Sequence, residues 1–329
     1  MYRINCLRKV LLGCLMMAGL AVRAASSEEK MCADTLKFHY ATRTEAQALW
    51  GVEDAYMRHL SPFDIEVRTG KADAGKAALK QIALEGFRDW TVAEKQRMDR
   101  LMMKLNARIR EENYILPLSD SVVIVKSDMK EEGGAGGYTR SKWIALHTGM
   151  PSQASDEKLM AVMLHELFHV LTRNNLDFKR NMYATIGFTV ENEELDFPED
   201  LRPVHVTNPD VDRFDSYATF KVDGKDQRCA MVIYAARPYA GGSLFDYLKI
   251  GFVALDGDLK PMSEDGRTVI YPMERIENFQ EKVGENTDYV INPEEILAEN
   301  FVFAFLNQTD LKTPDLRERI RNVIKSKKN

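Results

Sequence analysis

The sequence predicts an α+β protein in which helical and strand-like segments follow one another in blocks. Apolar residues recur every three or four positions from Thr44 to about Asn113, a spacing typical of amphipathic helices. Two short runs rich in β-branched and aromatic residues come next, SVVIVKS and KWIALHT, and these predict strands. A third block, AVMLHELFHVLTRNN, is apolar almost all the way round a helix, which predicts a buried one. At 329 residues the chain is long enough for one large domain or two modest ones.

The first 24 residues predict a secretory signal peptide. MYRINCLRKV is basic, LLGCLMMAGLAV is apolar, and small residues at Val22 and Ala24 precede a cleavage point after Ala24. The apolar run is short for a membrane span, so an uncleaved anchor is the weaker interpretation. Lipoprotein anchoring through Cys14 is weaker still, because little apolar sequence precedes that residue. We therefore expect an exported protein, periplasmic or secreted, with no stable membrane span after cleavage.

The charge of the remaining chain argues against nucleic acid as a partner. Cleavage after Ala24 removes four of the 45 basic residues and none of the 50 acidic ones, which leaves 41 against 50 and a net charge of about −9. An acidic chain is not expected to bind a polyanion. Cys6 and Cys14 leave with the leader, and Cys32 and Cys229 remain. In an oxidising compartment these two form either one long-range disulfide or two buried free thiols, and the sequence leaves both open.

Two domains are predicted after the leader. Residues 25–115 are expected to form an N-terminal helical lobe, with breaks at Ser61-Pro62 and Thr69-Gly70. Residues 116–329 are expected to form a second domain, in which the segment EEGGAGGYTR is predicted to be the loop between the two strands. Within it, an insertion at about 188–271 has a mixed, mostly extended pattern with turns at NPD, DGK, AGG and DGD.

The third block is predicted to be one helix, from about Asp156 to Arg173, with Ser152 or Ser155 as its N-cap. It contains the sequence HELFH. At about 100° per residue, the two histidines of this motif lie one above the other on the same helical face. Both imidazoles can therefore reach one metal ion.

The residues of this motif are His165, Glu166 and His169. Glu166 is expected to lie beside the metal, where it can take a proton from a metal-bound water. The alternative is that the histidines are ordinary core or surface residues and that Glu166 is a solvated charge. The apolar surroundings favour the metal site, because buried polar groups are costly unless something satisfies them.

A zinc site with two helical histidines needs a third protein ligand. The best candidate is in YVINPEEILAENFVFAFL, which is predicted to be a buried helix with Asn292 as N-cap and Pro293 in its first turn. Glu295 and Glu299 are four residues apart and share a face of this helix, so that one can bind the metal while the other accepts a hydrogen bond from a ligand histidine. Glu294 is the alternative ligand if the helix begins differently.

These two motifs together resemble the gluzincins, the zinc metallopeptidases of the thermolysin type. Such enzymes have a zincin-like catalytic core made of a small sheet, an active-site helix and a glutamate-bearing helix. The stretch TDYVINPEEILAENF is most similar to the catalytic domain of anthrax lethal factor and its relatives. The resemblance implies Zn²⁺ bound by His165, His169 and Glu295, a supporting role for Glu299, and catalytic roles for Glu166 as general base and Tyr289 as oxyanion donor.

The resemblance covers the two helices and, loosely, the strands before them. The interval from His169 to Glu295 is 126 residues (295 minus 169), which is much longer than in the compact gluzincins and too long for a plain loop. It requires an inserted subdomain, which accounts for the extended segment at about 188–271. In the resembling enzymes a strand beside the cleft pairs with extended substrate, and the strand after the glycine loop Gly133 to Gly137 is the counterpart here.

The sequence thus predicts an exported zinc metallopeptidase that acts on a peptide or protein substrate. Two alternatives stay open: a catalytically silent or metal-stabilised envelope binding protein of the same fold, and a zinc amidase that acts on a non-protein substrate. Further candidates for the cleft are His205, His147 and Tyr271. The two histidines are more often structural in such positions. Tyr289 is preferred to Tyr271 by position alone.

Overall fold

The computed structural model describes residues 36–118 and 121–325, and it confirms the predicted α+β class. The predicted signal peptide, Cys14 and Cys32 lie outside these ranges. Cys229 lies within them and is buried, and burial raises the pKa of its thiol to about 12. This thiol is therefore protonated and unreactive at neutral pH.

The first sheet has five strands: β1 (Phe38–Tyr40), β2 (Phe87–Arg88), β3 (Val122–Ser127), β4 (Gly137–Arg140) and β5 (Trp143–His147). Four of them lie in the order β1-β3-β5-β4, and β2 pairs with β3 beside this path. β1 and β5 are parallel to β3, whereas β2 is antiparallel to β3 and β4 is antiparallel to β5. Within the described residues β4 is last in the order and forms an edge of the sheet.

Five helices precede β3, and they cover both faces of this sheet. The helices are α1 (Arg43–Trp50), α2 (Ala55–His59), α3 (Pro62–Thr69), α4 (Lys76–Gly86) and α5 (Val92–Glu112). Val125 and Ala145 belong to a core that they share with α1 and α4. Ile124 and Ile144 face the opposite core, to which α5 contributes. The lobe boundary predicted near residue 115 therefore falls inside one compact unit that contains all of the described residues.

The predicted loop EEGGAGGYTR is wrong at its end, because its last four residues form β4. Arg140 is the reason that the sequence is misleading there. Its side chain is almost fully buried between the rings of Trp50, Tyr56 and Trp143, with its guanidinium carbon 5.2 to 5.5 Å from each ring centroid. Its Nε also pairs with Asp54 at 2.8 Å. An arginine that follows a glycine run is typical of a loop, but the aromatic rings and the carboxylate allow this one to be buried.

The insertion forms a second, antiparallel sheet. Three helices precede it: α6 (Met150–Gln153), α7 (Asp156–Asn174) and α8 (Leu176–Ala184). The strands are β6 (Thr189–Val190), β7 (Ser216–Val222), β8 (Lys225–Ala235), β9 (Leu248–Ala254), β10 (Ser263–Glu264), β11 (Arg267–Thr268) and β12 (Ile270–Pro272). The sheet has the order β12-β9-β8-β7-β6, and β10 and β11 pair as a separate hairpin. The extended character predicted for 188–271 is thus present in the structure.

Three helices follow the insertion: α9 (Phe279–Val283), α10 (Pro293–Phe305) and α11 (Pro314–Ile324). α10 is buried on nearly every side and packs against α7 and α11 in the same core as α5. This packing brings the C-terminal part of the chain onto the HELFH motif. None of the helices within 36–118 and 121–325 is both long and apolar enough to cross a membrane.

Glu131, in the turn between β3 and β4, is a buried acidic residue whose titration can be tested. Its side chain is fully buried and accepts hydrogen bonds from the hydroxyls of Ser127 and Tyr138, at 3.0 and 3.1 Å. Burial nevertheless raises its pKa from 4.5 to about 7. Between about pH 4.5 and 7 the folded protein thus binds more protons at this site than the unfolded chain does, so stability falls as the pH rises through this window.

We expect Glu131→Gln to remove this pH dependence. Relative to the wild type, the variant should gain up to about 3 kcal/mol in free energy of unfolding between pH 5 and pH 8, because about 2.5 pKa units correspond to that energy. Urea denaturation at several pH values measures it. Glu111→Gln, at an exposed position of α5, is the matched control and should show no such gain. An unchanged difference between wild type and Glu131→Gln from pH 5 to pH 8 would contradict the assignment.

Candidate metal centre

α7 places the histidines as the sequence predicts. Ser155 is its N-cap, with its side chain accepting a hydrogen bond from the Lys158 backbone, and the helix runs through Asn174. His165 and His169 lie on one face with their ring centroids 4.8 Å apart. His169 is fully buried, and the side chain of His165 is 15% exposed. One edge of the imidazole pair is thus open to solvent.

α10 brings a carboxylate to both imidazoles. Asn292 is the N-cap, and its side-chain oxygen accepts a hydrogen bond from the Glu295 backbone at 2.9 Å, which fixes Glu295 in the first turn. Glu295 Oε2 lies 3.0 Å from His165 Nε2 and 3.7 Å from His169 Nε2. His165, His169 and Glu295 form a cluster whose potential ligand atoms lie within 4.8 Å of one another, so that together they could hold a metal ion.

One atom of this cluster tests whether a metal fits. His169 Nε2 is buried and has no hydrogen-bond partner among the described residues. A buried polar atom without a partner costs free energy, and a cation held between the imidazoles and the carboxylate would satisfy it. Two imidazole nitrogens and one carboxylate oxygen also form the ligand set of one class of catalytic zinc site. The residues therefore fit a divalent transition metal.

The other ring nitrogens are paired with carboxylates on α10. His165 Nδ1 lies 3.0 Å from Glu299 Oε1, and His169 Nδ1 lies 3.1 Å from Glu294 Oε1. Such pairs fix the tautomer of a ligand histidine, with Nδ1 protonated and Nε2 free for the metal. Glu294 thus faces away from Glu295, toward the far side of the His169 ring.

Glu294 has further partners in its buried position. It accepts hydrogen bonds from the hydroxyls of Thr172 and Tyr183, the latter at 2.6 Å. Burial raises its pKa, but the hydrogen bond and charge of His169 outweigh burial, and the net effect lowers it. From the sequence, Glu294 is expected only as an alternative ligand. Its adjacency to Glu295 at the start of a buried helix was the available signal for a second carboxylate partner.

The charges of the cluster shift the protonation of His165. Burial lowers its pKa, but the carboxylates of Glu295 and Glu299 outweigh burial and raise that pKa well above its ordinary value. The proton on Nε2 is held against Glu295 Oε2. A metal ion bound at these two atoms takes the place of that proton, because metal ligands bind in their deprotonated forms.

Glu166 lies beside the cluster and points toward β4. Its Oε2 accepts a hydrogen bond from the Thr139 hydroxyl at 2.9 Å. Its Oε1 is so close to the backbone of β4 that a Cβ added at Gly137 would meet it at 2.7 Å. A side chain at position 137 would therefore displace the Glu166 carboxylate from this place. Burial and the nearby carboxylate of Asp210 raise the pKa of Glu166 to about 8, against the opposing effect of the two histidines.

A segment of the insertion reaches the same place. The Asn208 side-chain amide donates to Glu295 Oε1 at 2.6 Å, and Asp210 Oδ1 accepts from the Thr139 backbone N–H at 2.6 Å. Asp210, Glu166 and His169 form a second cluster with potential ligand atoms within 4.8 Å of one another. Neither residue is predicted from the sequence, because the pattern NPD indicates only a turn.

Tyr289 lies next to the cluster, as the resemblance implies. Its ring centroid is 6.5 Å from that of His165, and the residue is 42% exposed. Burial of the hydroxyl end and the charges of Glu295 and Asp210 raise its pKa, so the phenol keeps its proton and can donate it in a hydrogen bond. Tyr271 is elsewhere, on β12, with the Arg275 guanidinium 4.7 Å from its ring centroid.

The other two candidate histidines belong to neither cluster of the described chain. His205 packs against Phe197, with ring centroids 4.5 Å apart, and burial lowers its pKa to about 4. It is therefore neutral and structural at pH 7. His147 ends β5, and its Nδ1 accepts a hydrogen bond from the Gly149 backbone at 3.0 Å.

Comparison with known proteins gives no relative: no family model matches the chain, and no curated protein or solved structure matches it either.

Proposed function

We propose that this chain is an exported zinc metallopeptidase that hydrolyses peptide bonds. The observation that carries the proposal is the convergence of His165 Nε2, His169 Nε2 and Glu295 Oε2, with the Glu166 carboxylate beside them. A purely structural metal has no need of that additional carboxylate. The export part of the proposal rests on the predicted leader.

Zinc bound by His165, His169 and Glu295 would supply a Lewis acid that polarises the carbonyl of the scissile bond and makes water acidic near neutral pH. The chain's own residues prepare this site. Glu294 and Glu299 orient the two imidazoles through Nδ1, and Asn208 orients Glu295 through Oε1. Such outer contacts increase the basicity of the ligands and keep them in position.

Glu166 is the general base of the proposed reaction. Its Oε1 and Oε2 are the atoms that accept the proton of the attacking water and then deliver it to the leaving amine. The Thr139 hydroxyl holds Oε2, and the absence of a side chain at Gly137 leaves room for Oε1. The base is therefore positioned by the backbone and hydroxyl of β4, not by its own helix alone.

The position of β4 supports a peptide as substrate. The strand is an edge of the first sheet in the described chain, and it lies directly against Glu166. An extended peptide can add to such an edge through main-chain hydrogen bonds, which places its backbone along the site. His165 and Tyr289 provide the solvent-facing side from which a chain can enter.

Metal dependence tests the proposal directly. We expect the purified protein to contain one zinc ion per chain by elemental analysis and to cleave casein or a peptide library. A chelator should abolish cleavage, and added Zn²⁺ should restore it. Stoichiometric zinc without cleavage of any peptide would instead favour the metal-stabilised binding protein, and cleavage confined to non-protein amides would favour the amidase.

Tyr289→Phe should lower kcat/KM for a fluorogenic peptide by about 10²-fold, because loss of one donor to a developing oxyanion has an effect of this size. Zinc content should not change. Tyr271→Phe is the matched control, since that tyrosine lies in the second sheet, and its kcat/KM should equal that of the wild type. Equal rates for Tyr289→Phe and the wild type would remove Tyr289 from the mechanism.

A further inference from the structure

The segment Thr207–Asp212, here called the covering segment, makes polar contacts with each part of the candidate centre. Asn208 donates to Glu295, and Asp210 accepts from the Thr139 backbone N–H. Arg173, on α7, donates to the Pro209 carbonyl at 2.8 Å. The covering segment is thus in contact with a proposed metal ligand, with the edge strand and with the helix of the histidines.

Both ends of the covering segment are anchored away from the metal. At its start, the backbone N–H and hydroxyl of Thr207 donate to the buried carboxylate of Asp64. At its end, Asp212 pairs with Arg173 at 3.2 Å. Between these anchors the Asp210 carboxylate is directed to β4 and to the second cluster, where the positive charges of Arg173 and His165 also act on it. A cation bound in that cluster would therefore meet an acidic oxygen.

Asp210 converges on the same imidazole as the proposed ligands. Its carboxylate, that of Glu166 and a nitrogen of His169 lie within 4.8 Å of one another, and His169 belongs to both clusters. His169 Nε2 is buried and has no partner among the described residues, which is an observation independent of the acidic groups. An ion that satisfies this nitrogen lies within reach of Asp210 as well as of Glu295.

We propose that Asp210 is a fourth protein ligand of the metal in the resting protein. The inference rests on the proposed metal centre, and it deepens the proposed function by making the resting site closed. Four protein ligands are typical of closed zinc sites, whereas a catalytic site keeps one position for water or substrate. Asp210 must therefore leave the metal before a peptide is cleaved.

The same carboxylate also occupies the edge of β4. Its Oδ1 accepts from the Thr139 N–H, and the Arg173 guanidinium donates to the Thr139 carbonyl at 3.0 Å. Both main-chain groups of this residue are thus already paired within the chain. Withdrawal of Asp210 frees the metal and the Thr139 N–H in one movement, so that one residue controls both the open coordination position and a main-chain donor of the substrate edge.

Cobalt spectroscopy tests the assignment without relying on activity. With Co²⁺ as the probe, Asp210→Cys should show a thiolate-to-cobalt charge-transfer band in the near ultraviolet, because the side chain at 210 would bind the metal directly. Asp212→Cys is the matched control on the same segment and should match the wild-type spectrum. The band must be absent from the wild type, which contains the buried Cys229 and also Cys32. No band for Asp210→Cys would overturn the proposal.

A second measurement does not depend on cysteine. Asp210→Asn should bind Zn²⁺ at least about 10-fold more weakly than Asp212→Asn in competition with a chromophoric chelator. Equal affinities would overturn the proposal. Peptide cleavage, assayed in parallel, separates the two proposals. If position 210 affects the metal but no form cleaves peptide, the ligand assignment stands and the peptidase falls; if the wild type cleaves peptide and position 210 does not affect the metal, the reverse holds.

Discussion

Glu166→Gln is expected to lower kcat/KM for peptide cleavage by about 10³–10⁴-fold, which is the upper range for loss of a general base. The amide has the shape of the carboxylate, and its oxygen can still accept a hydrogen bond from the Thr139 hydroxyl, so the side chain should keep its position. An amide has no basic oxygen to take the proton of water. The measurement is cleavage of a fluorogenic peptide together with zinc analysis of the same sample.

The zinc content is what makes this variant informative. Glu166 belongs to the second cluster, with His169 and Asp210, but not to that of His165, His169 and Glu295, and as the base it is not a ligand, so its replacement should leave one zinc per chain. Glu157→Gln, in the exposed first turn of the same helix, should have wild-type activity and zinc content. Loss of both zinc and activity in Glu166→Gln would make Glu166 a ligand, and full activity would remove it as the base.

The sequence predicts the two helices of the site well because the relevant signals are local. The apolar pattern and the serine cap define α7 within a residue or two, and Asn292 and Pro293 define the start of α10. Given both helices, the shared helical face of Glu295 and Glu299 directs them toward the same partner. The one further step is the packing of α7 against α10. Both helices are apolar on most sides, so each needs a partner in the core.

The rest of the site depends on contacts that no local pattern records. Thr139 and Asp210 are 71 residues apart in the chain and meet only because the insertion folds back on β4. The strand β4 is also hard to predict, because the glycine run that leads into it and Arg140 at its end are typical of a loop. The burial of Arg140 depends on rings from other segments. Helices of the predicted lobe likewise cover the face of the sheet that carries Val125 and Ala145, because these residues need apolar partners on that side.

The anchor of the covering segment is a buried ion pair. Asp64 is fully buried on α3, and it pairs with the nearly buried guanidinium of Arg68. The same carboxylate accepts hydrogen bonds from the backbone of Ser61 at 3.0 Å and from Thr207. Arg68 also pairs with Glu132, at 3.1 Å. One side chain thus satisfies several buried donors at once.

Asp64→Ala is therefore expected to lower the free energy of unfolding by about 3–5 kcal/mol, the usual cost of removing one partner from a buried pair. The loss comes from the half-paired Arg68 and from the orphaned donors of Ser61 and Thr207, not from the small volume removed. Urea denaturation with an unchanged slope measures it. Asp226→Ala breaks an exposed pair with Lys221, at 3.6 Å, and should change stability by less than about 1 kcal/mol. A similar small change in Asp64→Ala would show that water replaces the lost contacts.

Because Asp64 holds Thr207, a stable Asp64→Ala protein should also have a more mobile covering segment. The measurement is amide exchange, which should be faster at Asn208 and Asp210 than in Asp226→Ala.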